Sequence, residues 1–302
     1  MFWVRLRSGI ILIILAFIAM FMGGRILLTV MFLLSVAAFR ELTGASDAGG
    51  RKENGKEKTD AASRRKRGLS GLEKVGFAGI ILYYGLLFAT GQRSFDAVQT
   101  GMLFSLVCVF MGCMFVYVFA FPKYQSSQVM AAFFSFFYGP VCLSFIYLTR
   151  ELGRGQAGER NVIGVYIVWL ILISSWGCDT CAYCVGMLIG KHKMSPILSP
   201  KKSVEGAVGG VLGSAALGAL YGYAMREKLH GDGKVILFFA LICGVGALIS
   251  MVGDLAASAV KRNADLKDYG NLIPGHGGIM DRFDSVIFTA PVIYFMAEFL
   301  LS

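Results

Sequence analysis

The sequence VILFFALICGVGALISMVGDLAASAVKRNADLKDYGNLIPGHGGIMDRFDS, residues 235–285, joins a long apolar run to a dense polar segment. The apolar part, 235–256, is long enough to cross the ~30 Å hydrocarbon core of a bilayer. The polar part concentrates lysines, arginines and aspartates and places His276 among glycines. This combination indicates a polar site at a membrane surface, with cations for phosphates and carboxylates for a metal.

The composition of the whole chain is also that of a membrane protein. Hydrophobic residues make up 56% of the 302 residues and charged residues only 16%, whereas a soluble domain carries about 25% charged residues. We therefore predict an all-α, polytopic integral membrane protein with about nine transmembrane helices. The nine apolar segments lie within 1–22, 26–39, 72–90, 97–121, 129–149, 161–176, 204–224, 235–256 and 283–301.

The distribution of positive charge predicts the orientation of these helices. With the N terminus in the cytoplasm, the inner loops hold 21 of the 29 Lys and Arg residues and the outer loops hold 8. Cytoplasmic loops are enriched in Lys and Arg, so the chain is expected to be N-in and C-out in the cell (plasma) membrane, with its polar loops facing the cytoplasm. The net charge of +10 is accounted for by these loops, and no nucleic acid partner is expected.

The chain divides at about residue 176 into two functional regions. Residues 1–176 form an N-terminal transmembrane region with a basic cytoplasmic loop at about 43–71, whose composition predicts disorder. A positive-inside anchor is preferred for this loop over binding of nucleic acid or anionic lipid. Residues 177–302 form a C-terminal transmembrane region that contains both polar, chemistry-bearing loops.

Two regular patterns in the C-terminal region favour helix packing. Cys178, Cys181 and Cys184 form C-x-x-C-x-x-C, and on a helix they lie roughly on one face; packing is preferred over a metal or iron–sulfur site because a fourth thiolate is missing nearby. Small residues recur at every fourth position in 204–224, which predicts a close-packing helix face. The same spacing argues against a nucleotide-binding glycine loop, since no strand precedes it.

The aspartates that flank the polar segment are the candidate metal ligands. Asp254 ends an apolar run, and a carboxylate at membrane depth is costly unless it faces a partner or a cavity. Asp281 begins the last apolar run, where the helix dipole favours negative charge, and Asp284 follows one turn later. We predict that Asp254 and Asp281 share Mg²⁺, completed by water and substrate phosphates, and that a second cation can join. A structural hydrogen bond from Asp254 to a neighbouring helix is the alternative.

Basic residues in the two polar loops are the candidate phosphate ligands. Arginine offers a planar fork to a phosphate, and lysine offers a point charge. Together with a metal they would relieve the repulsion between two reacting anions. The six predicted cations are Lys201, Lys202, Lys261, Arg262, Lys267 and Arg282.

The same two loops carry a recognisable pattern. The first block comprises Asp179, Ala182-Tyr183, Gly186, Gly190, Pro196, Ser199-Pro200-Lys201-Lys202-Ser203 and Glu205-Gly206. The second comprises Ser258, Lys261-Arg262, Lys267-Asp268, Gly270, Pro274, His276-Gly277-Gly278, Asp281-Arg282 and Asp284. This pattern resembles that of the phosphatidate cytidylyltransferase (CDP-diacylglycerol synthase) family. Two departures are Ser203, where threonine is commoner, and Cys181, where a small residue is usual; neither changes a charged position.

The resemblance implies an enzyme that transfers the cytidylyl group of CTP to phosphatidate, in the membrane and with Mg²⁺. It implies a catalytic set of Asp254, Asp281, Lys261, Arg262 and Asp284, and a substrate-binding set of Asp179, Lys201, Lys202, Ser203, Lys267, Asp268, His276 and Arg282. For His276, nucleotide contact, acid catalysis and ordering of the loop all stay open. Asp265 does not match the pattern and is interpreted as solvated.

Two other functions fit parts of the sequence. A related CTP-dependent enzyme acting on an isoprenoid lipid alcohol or phosphate would differ only in its lipid pocket. An ion-coupled transporter would use intramembrane carboxylates, but it predicts inverted repeats, which the sequence does not show. A homodimer and a monomer are both compatible with the sequence.

Overall fold

The computed structural model describes residues 14–53, 69–90, 95–153, 163–196, 198–229, 233–270, 272–273 and 277–301. Residues 14–22 are helical. The named helices that follow are α1 (Gly24–Glu53), α2 (Gly71–Thr90), α3 (Phe95–Phe119), α4 (Ser126–Phe136), α5 (Cys142–Arg150), α6 (Ile163–Leu172), α7 (Cys178–Ile189), α8 (Val204–Met225), α9 (Lys234–Asn263) and α10 (Met280–Leu301). Strands β1 (Lys193–Ser195) and β2 (Ser199–Ser203) form an antiparallel hairpin between α7 and α8.

Seven helical segments in this part of the chain are long and apolar enough to cross a membrane: Gly24–Ser46, Gly71–Thr90, Asp96–Phe119, Ser126–Arg150, Ile163–Ile189, Val204–Met225 and Lys234–Asn263. The all-α polytopic prediction is therefore confirmed. The count of nine stays a prediction, as does the orientation. Residues 1–13 lie outside the described residues, and α10, which carries four charged side chains, is not among the seven.

Several helices extend beyond the predicted apolar runs. The π-helical turn Ile173–Gly177 carries α6 into α7, so the helical path continues to Ile189. A π turn widens a helix without ending it, which lets Gly177 and the polar residues after it stay helical. Similarly, α1 continues to Glu53, into the loop predicted at 43–71, and residues 54–68 of that loop lie outside the described residues.

The chain forms two compact units. The first unit comprises Met1–Ser144, Gly155–Gly158 and Val260–Arg282, and the second comprises Phe145–Arg154, Glu159–Ala259 and Phe283–Ser302. The division at residue 176 was drawn by function and stays a prediction.

Helix α1 is held in the first unit by aromatic packing and by hydroxyl pairs. The Phe39 ring is fully buried and lies where a side chain at Gly76 would be, so α1 approaches α2 closely. Tyr84 Oη lies 2.7 Å from Ser35 Oγ and donates to the Pro140 carbonyl at 3.1 Å. In an apolar medium each buried hydroxyl needs such a partner, so these bonds fix the position of α1.

The second unit is built on the small-residue face of α8. All five residues of the predicted stripe are buried: Gly206, Gly210, Ser214, Gly218 and Gly222. A Cβ at Gly210 would lie 3.0 Å from Cys178 Sγ of α7, and a Cβ at Gly218 would lie 2.6 Å from the Phe239 carbonyl of α9. The predicted close-packing face is confirmed, and it contacts two helices in turn.

The cysteine triplet is helical, as predicted. Cys178 is fully buried and packs with Ala247 and Met251, whereas Cys184 is exposed. Cys181 lies where a Cβ at Gly213 would come within 2.6 Å of its sulfur. Two of the three thiols therefore act as small packing groups against α8 and α9.

Candidate active site

Five of the predicted site residues form two clusters, one in each compact unit. The Lys202 cluster, in the second unit, consists of Asp179 on α7, Lys202 on β2 and Asp254 on α9. The Lys261 cluster, in the first unit, is built around Lys261 on α9 and Asp281 on α10. Each cluster thus joins a lysine to a carboxylate that the sequence had singled out.

The Lys202 cluster carries more negative than positive charge. Lys202 Nζ is ion-paired with Asp254 Oδ2, and the two side chains are 26% and 27% exposed. Asp179 interacts electrostatically with both Lys202 and Asp254. Two carboxylates around one ammonium leave a net charge of about −1, which would attract a cation from solvent.

The β hairpin and the start of α8 position Lys202. Ser203 ends β2 and is the N-cap of α8, because its Oγ accepts a hydrogen bond from the Gly206 amide at 3.2 Å. Glu205 in the first turn of α8 accepts from the backbone amides of Lys191 at 3.1 Å and His192 at 3.2 Å. These bonds tie both ends of the hairpin to α8 and fix where β2 presents its lysine.

In the Lys261 cluster, the carboxylate of Asp281 is largely satisfied. Lys261 Nζ donates to Asp281 Oδ1 at 2.8 Å, and the backbone amides of Tyr269 and Gly278 donate to Oδ2 at 2.8 Å and 3.0 Å. The side chains of Lys261 and Asp281 are 16% and 4% exposed. Three of the roughly four acceptor positions of this carboxylate are therefore occupied, and the segment between α9 and α10 folds around it.

Sequence reasoning missed a second carboxylate in the first unit. Glu41 of α1 accepts hydrogen bonds from the backbone amides of Ile279 at 3.0 Å and Met280 at 2.9 Å. The predicted apolar run of α1 ends at Phe39, two residues before Glu41, so hydropathy alone does not single out this acid. The available signal was an acid within one turn of an apolar run, since such acids are expected to have a partner or a function.

Five of the remaining predicted residues are exposed. Lys201 lies on β2; Arg262, Lys267, Asp268 and Arg282 lie in the first unit, and all five are exposed. Asp284 belongs to the second unit, and its Oδ1 accepts from the Ser285 amide at 2.8 Å. His276 lies outside the described residues.

The structure does not test the predicted metal pair. Asp254 and Asp281 belong to different compact units, so a shared ion stays a prediction. Within the described ranges, no group of three or more His, Cys, Asp or Glu residues is arranged to hold a metal ion. Mg²⁺ does not require such a group, because water and substrate phosphates supply most of its ligands when one or two carboxylates bind it.

Comparison with known proteins places the chain in a family. The sequence profile of the cytidylyltransferase family matches residues 3–300. The chain is 32% identical to the phosphatidate cytidylyltransferase of Thermotoga maritima over 218 residues, 72% of this chain and 73% of that protein. It is 30% identical to the Staphylococcus saprophyticus protein of the same name over 292 residues, 96% of each chain.

Other similarities are higher but shorter. The chain is 37% identical to the Bacillus subtilis phosphatidate cytidylyltransferase over 133 residues, 44% of this chain and 48% of that protein. The matching segment thus spans about half the length of this relative, whereas the Staphylococcus saprophyticus match runs almost end to end.

Proposed function

Since the chain belongs to the cytidylyltransferase family, we propose that it transfers the cytidylyl group of CTP to phosphatidate, forming CDP-diacylglycerol and pyrophosphate in phospholipid biosynthesis. The observation that carries this proposal is the family match over 3–300, together with the two lysine–carboxylate clusters in the loops that bear the family's pattern. A phosphate oxygen of phosphatidate forms a bond to the α-phosphorus of CTP. The bond from that phosphorus to the bridging oxygen of the β-phosphate breaks, and pyrophosphate leaves.

The reaction brings two anions together, so the site must supply positive charge. Lys202 and Lys261 are held by ion pairs at about a quarter exposure or less, which keeps both ammonium groups in defined positions. Little proton transfer is needed, because the attacking phosphate oxygen is already anionic near neutral pH. The main tasks of the site are therefore to position the two substrates and to neutralise their negative charge.

Further contacts to the substrates are assigned to the exposed polar residues. The exposed cations suit the triphosphate and the lipid phosphate, because exposed ammonium and guanidinium groups can reach an incoming anion. Asp284 supports the catalytic set. The proposed substrate-binding set is Asp179, Lys201, Lys202, Ser203, Lys267, Asp268, His276 and Arg282, and Arg262 joins the catalytic set.

Mg²⁺ is the proposed cofactor, with Asp254 and Asp281 as its protein ligands, and a second cation is part of the same proposal. Asp254 fits this role because it is partly exposed and lies in a cluster with surplus negative charge. Asp281 keeps one acceptor position after Lys261, Tyr269 and Gly278 have donated to it. When bound, the ion neutralises and orients the triphosphate.

The proposed location is the plasma membrane, with the N terminus and both polar loops in the cytoplasm and the C terminus outside. The excess of Lys and Arg in the inner loops supports this orientation. CTP is then supplied from the cytoplasm and phosphatidate from the inner leaflet. A homodimer is the alternative to a monomer, and the particle mass in detergent distinguishes the two.

Product identification tests the proposed function. Purified protein is incubated with CTP, Mg²⁺ and, in parallel, phosphatidate, an isoprenoid phosphate or an isoprenoid alcohol. We expect CDP-diacylglycerol and stoichiometric pyrophosphate with phosphatidate. Transfer of the γ-phosphate with release of CDP, or product formation only with the isoprenoid lipids, would contradict the proposal.

A further inference from the structure

Glu41 occupies a site that is shaped around its carboxylate. Its two oxygens accept hydrogen bonds from consecutive backbone amides, those of Ile279 and Met280, across 238 and 239 residues of sequence. A Cβ at Gly270 would lie 2.6 Å from Oε1, and a Cβ at Gly278 would lie against Oε2. Both glycines therefore leave the space that the glutamate fills, and any other residue at either position would meet it.

The contact completes the start of α10. The first amides of a helix have no intrahelical acceptor, so they need partners from elsewhere. Met280 is the first residue of α10, and Glu41 supplies acceptors for its amide and for the amide just before it. A carboxylate at this end is also favoured by the helix dipole. Glu41 therefore anchors α10 at the turn that carries Asp281.

Three consecutive backbone amides donate hydrogen bonds to the carboxylates of Asp281 and Glu41. The Gly278 amide donates to Asp281 Oδ2, and the next two amides donate to Glu41. The two acids also repel each other electrostatically, and the amides between them offset this repulsion. Moving the carboxylate of Glu41 would therefore move the backbone that orients Asp281 and, through Asp281, the ammonium group of Lys261.

We propose that Glu41 is a positioning residue for cytidylyl transfer, which sets the orientation of the Asp281–Lys261 pair through the backbone at the start of α10. This inference rests on the proposed function for its catalytic consequence. Both oxygens of Glu41 accept from backbone amides, so the proposed role is exerted through the backbone at the start of α10. The contact itself is independent of what the enzyme transfers.

The first test is Glu41→Gln, whose amide NH₂ would face a backbone N–H in place of one acceptor oxygen. We expect the kcat for CDP-diacylglycerol formation to fall about 10–100-fold, as for residues that orient a metal ligand. The half-saturating Mg²⁺ concentration should rise, while the KM for CTP changes less than about threefold. If the role of Glu41 is purely structural, the variant should give less folded protein, but the folded fraction should keep the wild-type kcat and Mg²⁺ dependence. That result would overturn the proposal.

Glu73→Gln is the matched control. Glu73 is also a glutamate of the first unit at a helix N terminus, where its Oε2 accepts from the Ser70 amide at 2.7 Å at the start of α2. It has no predicted part in the site. We expect its kcat to stay within about twofold of wild type even if its melting temperature falls. An equal loss of kcat in both variants would show that any lost helix cap has the same effect, and the proposal would fail.

A second test needs no activity and keeps the two proposals separate. Gly278→Ala would place a methyl group against the Glu41 carboxylate. We expect Gly278→Ala to lower the melting temperature of the wild-type protein, and to lower that of the Glu41→Ala variant much less. Such coupling between the two substitutions reports direct contact. Additive effects would overturn the Glu41 contact whatever reaction the enzyme performs. If the two substitutions are coupled but the wild-type protein forms no CDP-diacylglycerol, the Glu41 contact stands and only the proposed function is refuted.

Discussion

The Lys202 cluster and the Lys261 cluster contain the same kinds of side chain and differ in how far their carboxylates are already satisfied. Asp254 is 27% exposed beside one lysine and a second acid. Asp281 is 4% exposed and accepts from one lysine and two backbone amides. An open cluster with surplus negative charge suits exchange of a cation with solvent, whereas a satisfied one holds the chain in a fixed geometry.

From this difference we predict that the lysine–carboxylate pairs of the two clusters have different roles. In the open cluster, charge is available to ligands, so substitutions should act on the binding of Mg²⁺ and nucleotide. In the buried cluster, charge is engaged in folding the segment between α9 and α10, so substitutions should act on stability as well as on activity. The expected effects of single substitutions separate these roles.

The largest effect is expected for Asp281→Asn. The amide would lose the charge that balances Lys261 and would turn an NH₂ towards backbone donors, and breaking a buried ion pair from one side costs about 3–5 kcal/mol. The kcat should fall at least about 100-fold. Thermal unfolding in detergent and initial rates measure the two effects. Unchanged stability would show that the carboxylate does not hold the segment between α9 and α10, and the contrast between the clusters would fail.

An intermediate effect is expected for Asp179→Asn. This exposed acid contributes to the surplus negative charge around Lys202 without being its ion-pair partner. We expect CDP-diacylglycerol formation to fall about tenfold, worth about 1.4 kcal/mol of transition-state stabilisation. Stability should change by less than about 0.5 kcal/mol because Asp179 itself is exposed. A fall in melting temperature as large as that of Asp281→Asn would show that the Lys202 cluster is also structural.

The smallest effect is expected for Ser203→Ala. The hydroxyl caps α8 through the Gly206 amide, and loss of an N-cap costs about 1 kcal/mol of stability. The KM for CTP should rise by less than about threefold, which is below 1 kcal/mol. Unfolding and nucleotide kinetics together check this prediction. A large rise in KM at unchanged stability would instead assign the Ser203 hydroxyl mainly to substrate binding.

Much of the fold could be predicted because its signals are local. The apolar runs follow from length and composition, and the stripe that begins at Gly206 follows from a four-residue spacing. The helix ends were less predictable. Local sequence does not indicate that a π turn at Ile173–Gly177 prolongs α6 into α7. The turn packs against α8, which is a tertiary contact.

The sequence indicates which residues are candidates for the site, but not which of them pair with each other. Lys202, Lys261, Asp254 and Asp281 were all candidates, yet the sequence does not say which lysine meets which aspartate, because partners far apart in sequence are set by tertiary structure. Glu41 shows the same limit more strongly. Its amide partners lie 238 and 239 residues away, and nothing in its local sequence points to them.

The Mg²⁺ dependence of CDP-diacylglycerol formation by Asp254→Asn tests the central claim most directly. Asp265→Asn is the matched control, because Asp265 is exposed, does not match the family pattern, and has a φ of 51° that asparagine tolerates. For Asp254→Asn we predict a folded protein with a rate at least about tenfold lower and a higher half-saturating Mg²⁺ concentration. The control should follow wild type. A wild-type rate and wild-type Mg²⁺ dependence in Asp254→Asn would contradict the assignment of the open cluster to the metal-assisted step.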